Sequence, residues 1–257
     1  MQLRRLGLFF ILLLVPVFVS AESDNDLEVV AETVKYYKTT TVLSNSEIMR
    51  TANLGEVSSL TTEITEEEYD SVDTSTSNTN NQRSMVSYEI ETTYKRLATT
   101  MSKNGNYYYR YKTTLDWKLI PSTRSYDIIG IGYLATVKIN GEVDFSQYYC
   151  RSSSDCYEGT TYWSDSFTNG AAAMFKIPSG TLTSLNQVIE IDVEKTNSSA
   201  TIIEQMAVGD YAHATSSISY TNAQKFTVDC GGIRLNSSIE DYYDEISTAD
   251  AIWEGTW

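Results

Sequence analysis

The sequence predicts an all-β protein built as an antiparallel β-sandwich, with a β-barrel as the alternative and a partly helical or disordered N-terminal extension. Three observations lead to this class. Apolar and polar side chains alternate with a period of two residues along several segments. Threonine and tyrosine, which favour strands, are abundant. Turn signals recur at short intervals, whereas patterns with helical spacing are scarce.

The clearest alternation lies in residues 107–119. Its odd positions include Tyr109, Tyr111, Leu115 and Trp117, and its even positions are largely charged. Because successive side chains on a strand point to opposite faces, we predict that the odd face is buried. Each large apolar side chain then contributes roughly 1.5–3 kcal/mol before the entropy cost of folding. The length of this strand predicts a bend that lets it serve two sheets.

A second long strand is predicted just before it and is joined to it by a tight turn at Asn104-Gly105. Its apolar residues occupy even positions as far as Tyr94 and odd positions from Leu97 onward. A change of face of this kind requires one extra residue in the ladder. We therefore predict a bulge or bend near residues 95–97.

The first 21 residues are predicted to be an export signal. Arg4 and Arg5 precede an almost wholly apolar run over residues 6–19, and small residues follow it. The run is shorter than the ~20 residues that a membrane-spanning helix needs. An uncleaved N-terminal anchor is the alternative. No second long apolar segment follows, so we expect no integral membrane segment after cleavage and a secreted or extracellular location at the cell envelope.

The remaining chain divides into three predicted regions. Residues 22–84 are an acidic N-terminal extension that ends in a Ser/Thr/Asn-rich linker. Residues 85–235 are the β-sandwich domain, and residues 236–257 are an acidic, aromatic C-terminal tail. Trp253 and Trp257 are large side chains to leave in water, so this tail is expected to dock on the domain.

Two helices are predicted within the N-terminal extension. Asp26 could cap an amphipathic helix that places Leu27 and Tyr37 on one face. Thr65 and Glu68 have the spacing of a capping box, which predicts a second helix start.

Further strands are predicted downstream. They lie at residues 136–139 and 142–149 around an Asn140-Gly141 hairpin, at 171–177 before Pro178, at 188–194, at 202–208 and 211–215 on either side of a Gly209-Asp210 break, and at 225–229.

The three cysteines predict one disulfide. Cys150 and Cys156 are close enough in sequence to pair in an oxidising compartment. Cys230 is then left over, either as a buried thiol or as a competitor for one partner. The spacing lacks paired CxxC elements, so no metal site is assigned to these residues.

The sequence contains few catalytic constellations. His213 is the single histidine and lies in a strand pattern, which favours a structural role. No catalytic residue, cofactor or metal ligand is assigned. Calcium at Asp24–Asp26 or at residues 240–245 would lack the ligand spacing of an EF-hand loop. Two converging carboxylates of the glycosidase type remain open, because such a pair has no fixed sequence spacing.

Charge and aromatic content bound the partners. The formal net charge is −15, which disfavours binding to nucleic acid or to anionic lipid. Tyrosine rings such as those of Tyr108, Tyr148 and Tyr149 offer flat faces for a ligand. The expected partners are a cell-wall polymer, a carbohydrate or a protein ligand, and no ligand-binding residue is assigned.

Two segments carry a family resemblance. TTYKRL at residues 92–97 and LDWKLIPSTRSYDIIGIGY at residues 115–133 resemble segments of uncharacterised exported proteins of Gram-positive bacteria. The resemblance supports export and implies no activity. We therefore expect a secreted or cell-surface β-sandwich that acts as a non-enzymatic binding or interaction module. The alternative is an extracellular hydrolase of the glycosidase type that uses paired carboxylates.

Overall fold

The computed structural model of the chain describes residues 27–44, 59–74, 79–80, 88–105 and 108–257. The predicted export signal and most of the predicted linker lie outside these residues. The regular structure of the described chain is almost all antiparallel β-strand in open sheets, which confirms the predicted sandwich. The elements are β1 (Glu28–Ser44), β2 (Ser59–Ile64), α1 (Glu66–Asp70), β3 (Thr79–Asn80), β4 (Tyr88–Asn104), β5 (Tyr108–Leu119), β6 (Tyr126–Tyr133), β7 (Val137–Ser152), β8 (Asp155–Glu158), β9 (Thr161–Phe167), β10 (Gly170–Lys176), β11 (Ser184–Lys195), β12 (Glu204–Ala212), α2 (Tyr220–Ala223), β13 (Phe226–Asp229), β14 (Gly232–Leu235), a 3₁₀ helix (Glu240–Tyr242) and β15 (Ser247–Glu254).

Two sheets form the sandwich. Sheet A has the order β2-β1-β4-β5-β11-β7-β8, with β3 paired to β4, and sheet B has the order β15-β12-β6-β10-β9. The main core lies between them. Tyr109, Tyr111 and Leu115 of β5 are fully buried there, and Ile129 and Ile131 of β6 meet them from sheet B. The alternation predicted for β5 is therefore confirmed.

A second apolar cluster covers the other face of sheet B. The hairpin of β13 and β14, together with α2, packs over this face and buries Phe226, Val228 and Ile233. β6 meets the hairpin through two glycines: Gly130 leaves room for the Ile233 side chain, and Gly132 leaves room for the hairpin backbone at Asp229. The molecule therefore has three layers.

The inward face of β4 differs from the prediction. Glu91, Thr93 and Lys95 are buried, so odd positions point inward on both sides of the predicted switch. An irregularity does occur between Tyr94 and Lys95, but the extra residue belongs to β5, because these residues pair with Leu119 and Trp117. The alternation of β4 therefore continues past the bulge, and the charged side chains of Glu91 and Lys95 lie inside the sandwich.

Several predicted elements differ from those in the structure, because strands pair with their neighbours across the predicted boundaries. Residues 28–37, where the sequence predicts a helix after Asp26, belong to β1, because β1 pairs with β4 along almost its whole length. β7 continues through Asn140-Gly141 as a bulge against β11, with Gly141 at a φ of 93°. β12 continues through Gly209-Asp210 because β6 and β15 pair with it on both sides. β5 pairs only within sheet A, with β4 and β11.

Two other predictions are confirmed. α1 begins after Thr65, whose hydroxyl accepts a hydrogen bond of 3.2 Å from the Glu68 N–H. The C-terminal tail docks through β15, which pairs with β12, and Trp257 is only 9% exposed. None of the helices in the described segments has the length and apolar composition required to span a lipid bilayer.

Candidate functional site

A surface cleft of about 450 Å³ lies at one end of the sandwich. The end of β7, β8, the end of β10 and the loop between β5 and β6 surround it. We call it the basic cleft, and it is defined here by Arg124, Gln147, Tyr149, Arg151, Glu158 and Lys176.

The disulfide holds one wall of the basic cleft. Cys150 and Cys156 are paired across β7 and β8, which confirms the predicted bond. On the same hairpin the rings of Tyr149 and Tyr157 stack with their centroids 5.5 Å apart. The Arg151 guanidinium lies 5.6 Å from the centre of the Tyr157 ring. The hairpin thus positions a cation and an aromatic face beside the cleft.

Gln147 is a buried amide that lines the basic cleft and bonds to a second buried amide, Gln187. Gln147 and Gln187 are almost fully buried, and Gln187 Nε2 donates to Gln147 Oε1 at 2.8 Å. Gln147 Nε2 donates to the Lys176 carbonyl oxygen at 3.3 Å. The Gly159 N–H donates to the Gln147 carbonyl oxygen at 2.6 Å. These bonds link β7, β10 and β11, so the wall that carries Lys176 is fixed relative to the wall that carries Arg151.

Three cations converge on the basic cleft. Arg124 is half-buried, and burial lowers the pKa of its guanidinium while the charges of Glu91 and Asp127 oppose that change. Arg151 and Lys176 are exposed. Among the described residues that line the cleft, Glu158 is the one carboxylate. In a chain with a net charge of −15, this excess of positive charge produces a local field that attracts anions.

A set of buried charged and polar side chains lies at the same end, between the sheets. We call it the buried charge cluster, and its members are Lys95, Asp127, Tyr211, His213 and Asp244. Lys95 Nζ is 2.7 Å from Asp244 Oδ2, and both side chains are inaccessible to solvent. His213 Nδ1 is 2.9 Å from Asp127 Oδ1. His213 is therefore buried at the end of β12, where it bonds to a carboxylate.

The other candidates from the sequence have separate positions. Tyr149 lines the basic cleft, whereas Tyr148 points to the opposite face and is 46% exposed. Tyr108 accepts a hydrogen bond from Asn104 Nδ2 at 2.8 Å, at the other end of the sandwich. Cys230 is an exposed free thiol rather than a buried one.

The two calcium candidates gain no support. Asp24–Asp26 lies outside the described residues. No group of three or more His, Cys, Asp or Glu side chains suited to a metal occurs in the part of the chain that the structure describes, residues 240–245 included.

The sequence reasoning missed the cations of the basic cleft and the buried role of Lys95. Arg124, Arg151 and Lys176 come from three separate segments, and each by itself has the pattern of a solvated surface charge. The only available signal for Lys95 was in the sequence, where the apolar residues of this segment change from even to odd positions between Tyr94 and Leu97.

Comparison with known proteins adds no function. No protein-family model matches the chain, and no curated protein matches it. A solved structure described as the complete structure of manganese lipoxygenase of Gaeumannomyces graminis and partial structure of zonadhesin of Komagataella pastoris contains a similar chain, with 8% identity over 86% of each chain and a TM-score of 0.24. A similarity with so low a TM-score carries no argument.

Removal of the disulfide is expected to destabilise the protein by about 2 kcal/mol, because the bond closes a short loop in the unfolded chain. The test is denaturant unfolding of a variant with Cys150→Ser and Cys156→Ser, in which no unpaired partner thiol is left. Cys230→Ser is the matched control, since that thiol is exposed and free, and it should leave the midpoint unchanged. Equal midpoints for wild type and the double variant would show that the pairing of β7 and β8 alone holds the loop.

Proposed function

We propose that this protein is a secreted or cell-surface binding module, without enzymatic activity, that holds an anionic extracellular carbohydrate or wall polymer in the basic cleft. The observation that carries the proposal is the convergence of Arg124, Arg151 and Lys176 on one cleft with a single described carboxylate in its lining. Carboxylate and phosphate groups are the natural partners of such cations, and arginine binds them through two parallel hydrogen bonds.

Three further features support the proposal. The disulfide is typical of proteins from oxidising compartments, and the predicted export signal agrees with it. The stacked rings of Tyr149 and Tyr157 offer an apolar face beside the cations, suited to a sugar ring. Neither Arg151 nor Lys176 forms an ion pair with a carboxylate among the described residues, so both are available to a ligand.

The glycosidase alternative is less well supported by this geometry. Its mechanism needs two carboxyl groups about 5–10 Å apart in a cleft that the sugar can enter. Within the described lining, Glu158 is the only residue of that type. Asp127 and Asp244 lie near each other in the buried charge cluster, but solvent does not reach either side chain. A binding role therefore fits the described residues better.

Binding can be measured by calorimetric titration with three probes. These are an oligogalacturonate, which carries carboxylates, a glycerol-phosphate oligomer, and a neutral cello-oligosaccharide. At least one anionic probe should bind, with an affinity that falls as salt increases. Arg151→Ala should weaken that binding roughly tenfold or more, because a charge-assisted hydrogen bond contributes about 1.5–3 kcal/mol.

Lys138→Ala is the matched control for this variant. Lys138 also lies on β7, but at the opposite end, where it pairs with Glu194. It should leave the affinity unchanged. Equal losses for Arg151→Ala and Lys138→Ala would mean that only the overall charge matters and would contradict the proposal. Binding of the neutral sugar alone would contradict the proposed ligand class.

A further inference from the structure

Lys95 and Asp244 meet in the interior from distant parts of the chain. Lys95 lies on β4 in the middle of sheet A, and Asp244 precedes β15 of sheet B, 149 residues later. Lys95 Nζ and Asp244 Oδ2 are 2.7 Å apart, and both side chains have no solvent exposure. The amine nitrogen is thus held in contact with the carboxyl group at a place that bulk water does not reach.

The surroundings are aromatic. Lys95 Nζ lies 5.4 Å from the centre of the Trp117 ring and 5.2 Å from that of Tyr211. Trp117 Nε1 donates to the Tyr211 hydroxyl at 3.3 Å, which fixes both rings. A separated ammonium and carboxylate lose much of their hydration in such a place, and their mutual attraction compensates only in part. A neutral product of the same two groups would not carry that cost.

The second carboxylate of the cluster is already occupied by other donors. Asp127 Oδ1 accepts from the Ala214 N–H at 3.1 Å and lies 2.9 Å from His213 Nδ1, and the Tyr211 hydroxyl donates to Asp127 Oδ2. Lys95 therefore has Asp244 as its partner. The contacts of Asp127 also hold the backbone at His213, whose N–H donates to Asp244 Oδ1 at 2.7 Å. That N–H faces the oxygen on which negative charge would develop if a nucleophile attacked Asp244.

We propose that Lys95 and Asp244 condense into an intramolecular amide bond that joins the two sheets covalently. A proton first passes from Nζ to the carboxylate along the 2.7 Å contact, which gives an amine and a carboxylic acid. The Nζ lone pair then forms a bond to Cγ of Asp244, and the His213 N–H stabilises the resulting oxyanion. The bond from Cγ to Oδ2 breaks, a second proton from Nζ moves to the departing oxygen, and one water molecule leaves.

This step needs no oxidant, reductant or cofactor. Two charged groups are converted into a neutral amide, and the net charge of the protein does not change. Proximity accelerates the condensation, because the fold holds the reacting atoms together before the bond forms. The inference is independent of the ligand proposed for the basic cleft.

Mass spectrometry of the full-length protein, with its disulfide reduced, tests the proposal directly. The intact mass should be lower by one water molecule than the mass calculated for the chain from its determined N-terminus, in essentially the whole population. Protease digestion should yield a branched peptide in which fragmentation places the link between Lys95 and Asp244. An intact mass without the deficit, with linear peptides that contain Lys95 and Asp244, would overturn the proposal.

Two variants test whether the mass deficit depends on Lys95. Lys95→Met should restore the full sequence mass, whereas Lys138→Met, at an exposed lysine, should keep the deficit. If Lys95→Met does not fold, the peptide map of the wild-type chain still decides. A deficit of one water that maps to any other pair of residues would count against the proposal.

Discussion

Replacement of Gly132 by alanine is expected to lower the free energy of unfolding by about 3 kcal/mol, the upper end of the usual cost of overpacking. Gly132 lies on β6, and a Cβ atom there would overlap the carbonyl oxygen of Asp229 on the outer hairpin. It would also come within 3.2 Å of the Gly232 nitrogen. Both obstacles are backbone atoms, so a change of rotamer cannot relieve the clash. The hairpin of β13 and β14 must move away from sheet B or the strand must shift.

The measurement is denaturant unfolding together with hydrogen exchange at the Ile233 amide. Displacement of the hairpin should speed exchange at that amide, which donates to Asp210 Oδ2 at 2.6 Å in the native state. Gly231→Ala is the matched control on the same hairpin, where the nearest atoms are the side-chain ends of Asp229 and Arg234 at 3.2 and 3.4 Å. It should change stability by less than about 0.5 kcal/mol. Similar losses of stability for both variants would show that the close approach of the hairpin backbone is not what excludes a side chain at position 132.

The stability of the fold is expected to depend on pH through Asp210. Asp210 is 2% exposed, and burial raises its pKa from 3.8 to about 6, with a smaller contribution from the charge of Asp250. The Thr248 side chain and the Ile233 N–H favour the charged form and limit the rise. Asp210 Oδ1 has no hydrogen-bond partner among the described residues, which makes the charged form costly.

The direction of the effect follows from proton linkage. The folded state binds the proton of Asp210 more tightly than the unfolded state does. The stability contributed by this proton is therefore fully present below pH 3.8 and is lost as the pH rises through about 6. The difference amounts to about 3 kcal/mol at neutral pH. Asp210→Asn, which mimics the neutral form, should then be more stable than wild type at pH 7 by up to that amount.

The test is a pair of stability curves from pH 4 to pH 8, compared by subtraction so that the other carboxylates cancel. The advantage of Asp210→Asn should grow between about pH 4 and 6 and then level off. Asp241→Asn removes the same charge from an exposed position and should give a flat difference curve. A flat difference curve for Asp210→Asn as well would show that the pKa of Asp210 is not raised in the folded state.

Local patterns explain what the sequence could predict about the fold. The odd positions of β5 are large and apolar over a long run, so only one face could be buried. Thr65 and Glu68 interact within one helical turn, and Cys150 and Cys156 are six residues apart, so neither contact depends on distant structure. The helix expected at residues 27–37 failed because pairing with β4 outweighed a weak helical spacing.

The candidate site was mostly beyond the reach of sequence reasoning. Alternation assigns charged residues to the solvent side, yet Glu91 and Lys95 point inward. The partner of Lys95 lies 149 residues away, and no local signal identifies it. The cations of the basic cleft come together only after β7 and β10 take their places in different sheets. Tyr149 and the disulfide were named in advance, but without the charges beside them.

The first and last described strands and the basic cleft lie at opposite ends of the sandwich. β1 begins opposite Lys103, and the rings of Trp253 and Trp257 pack at a tilt against Tyr109, so the first and last described strands reach the same pole of the sandwich. Cys150 pairs with Ser184 at the far end of β11, at the pole where the cleft opens. The cations of the basic cleft therefore lie at the pole opposite to the one that the first and last described strands reach.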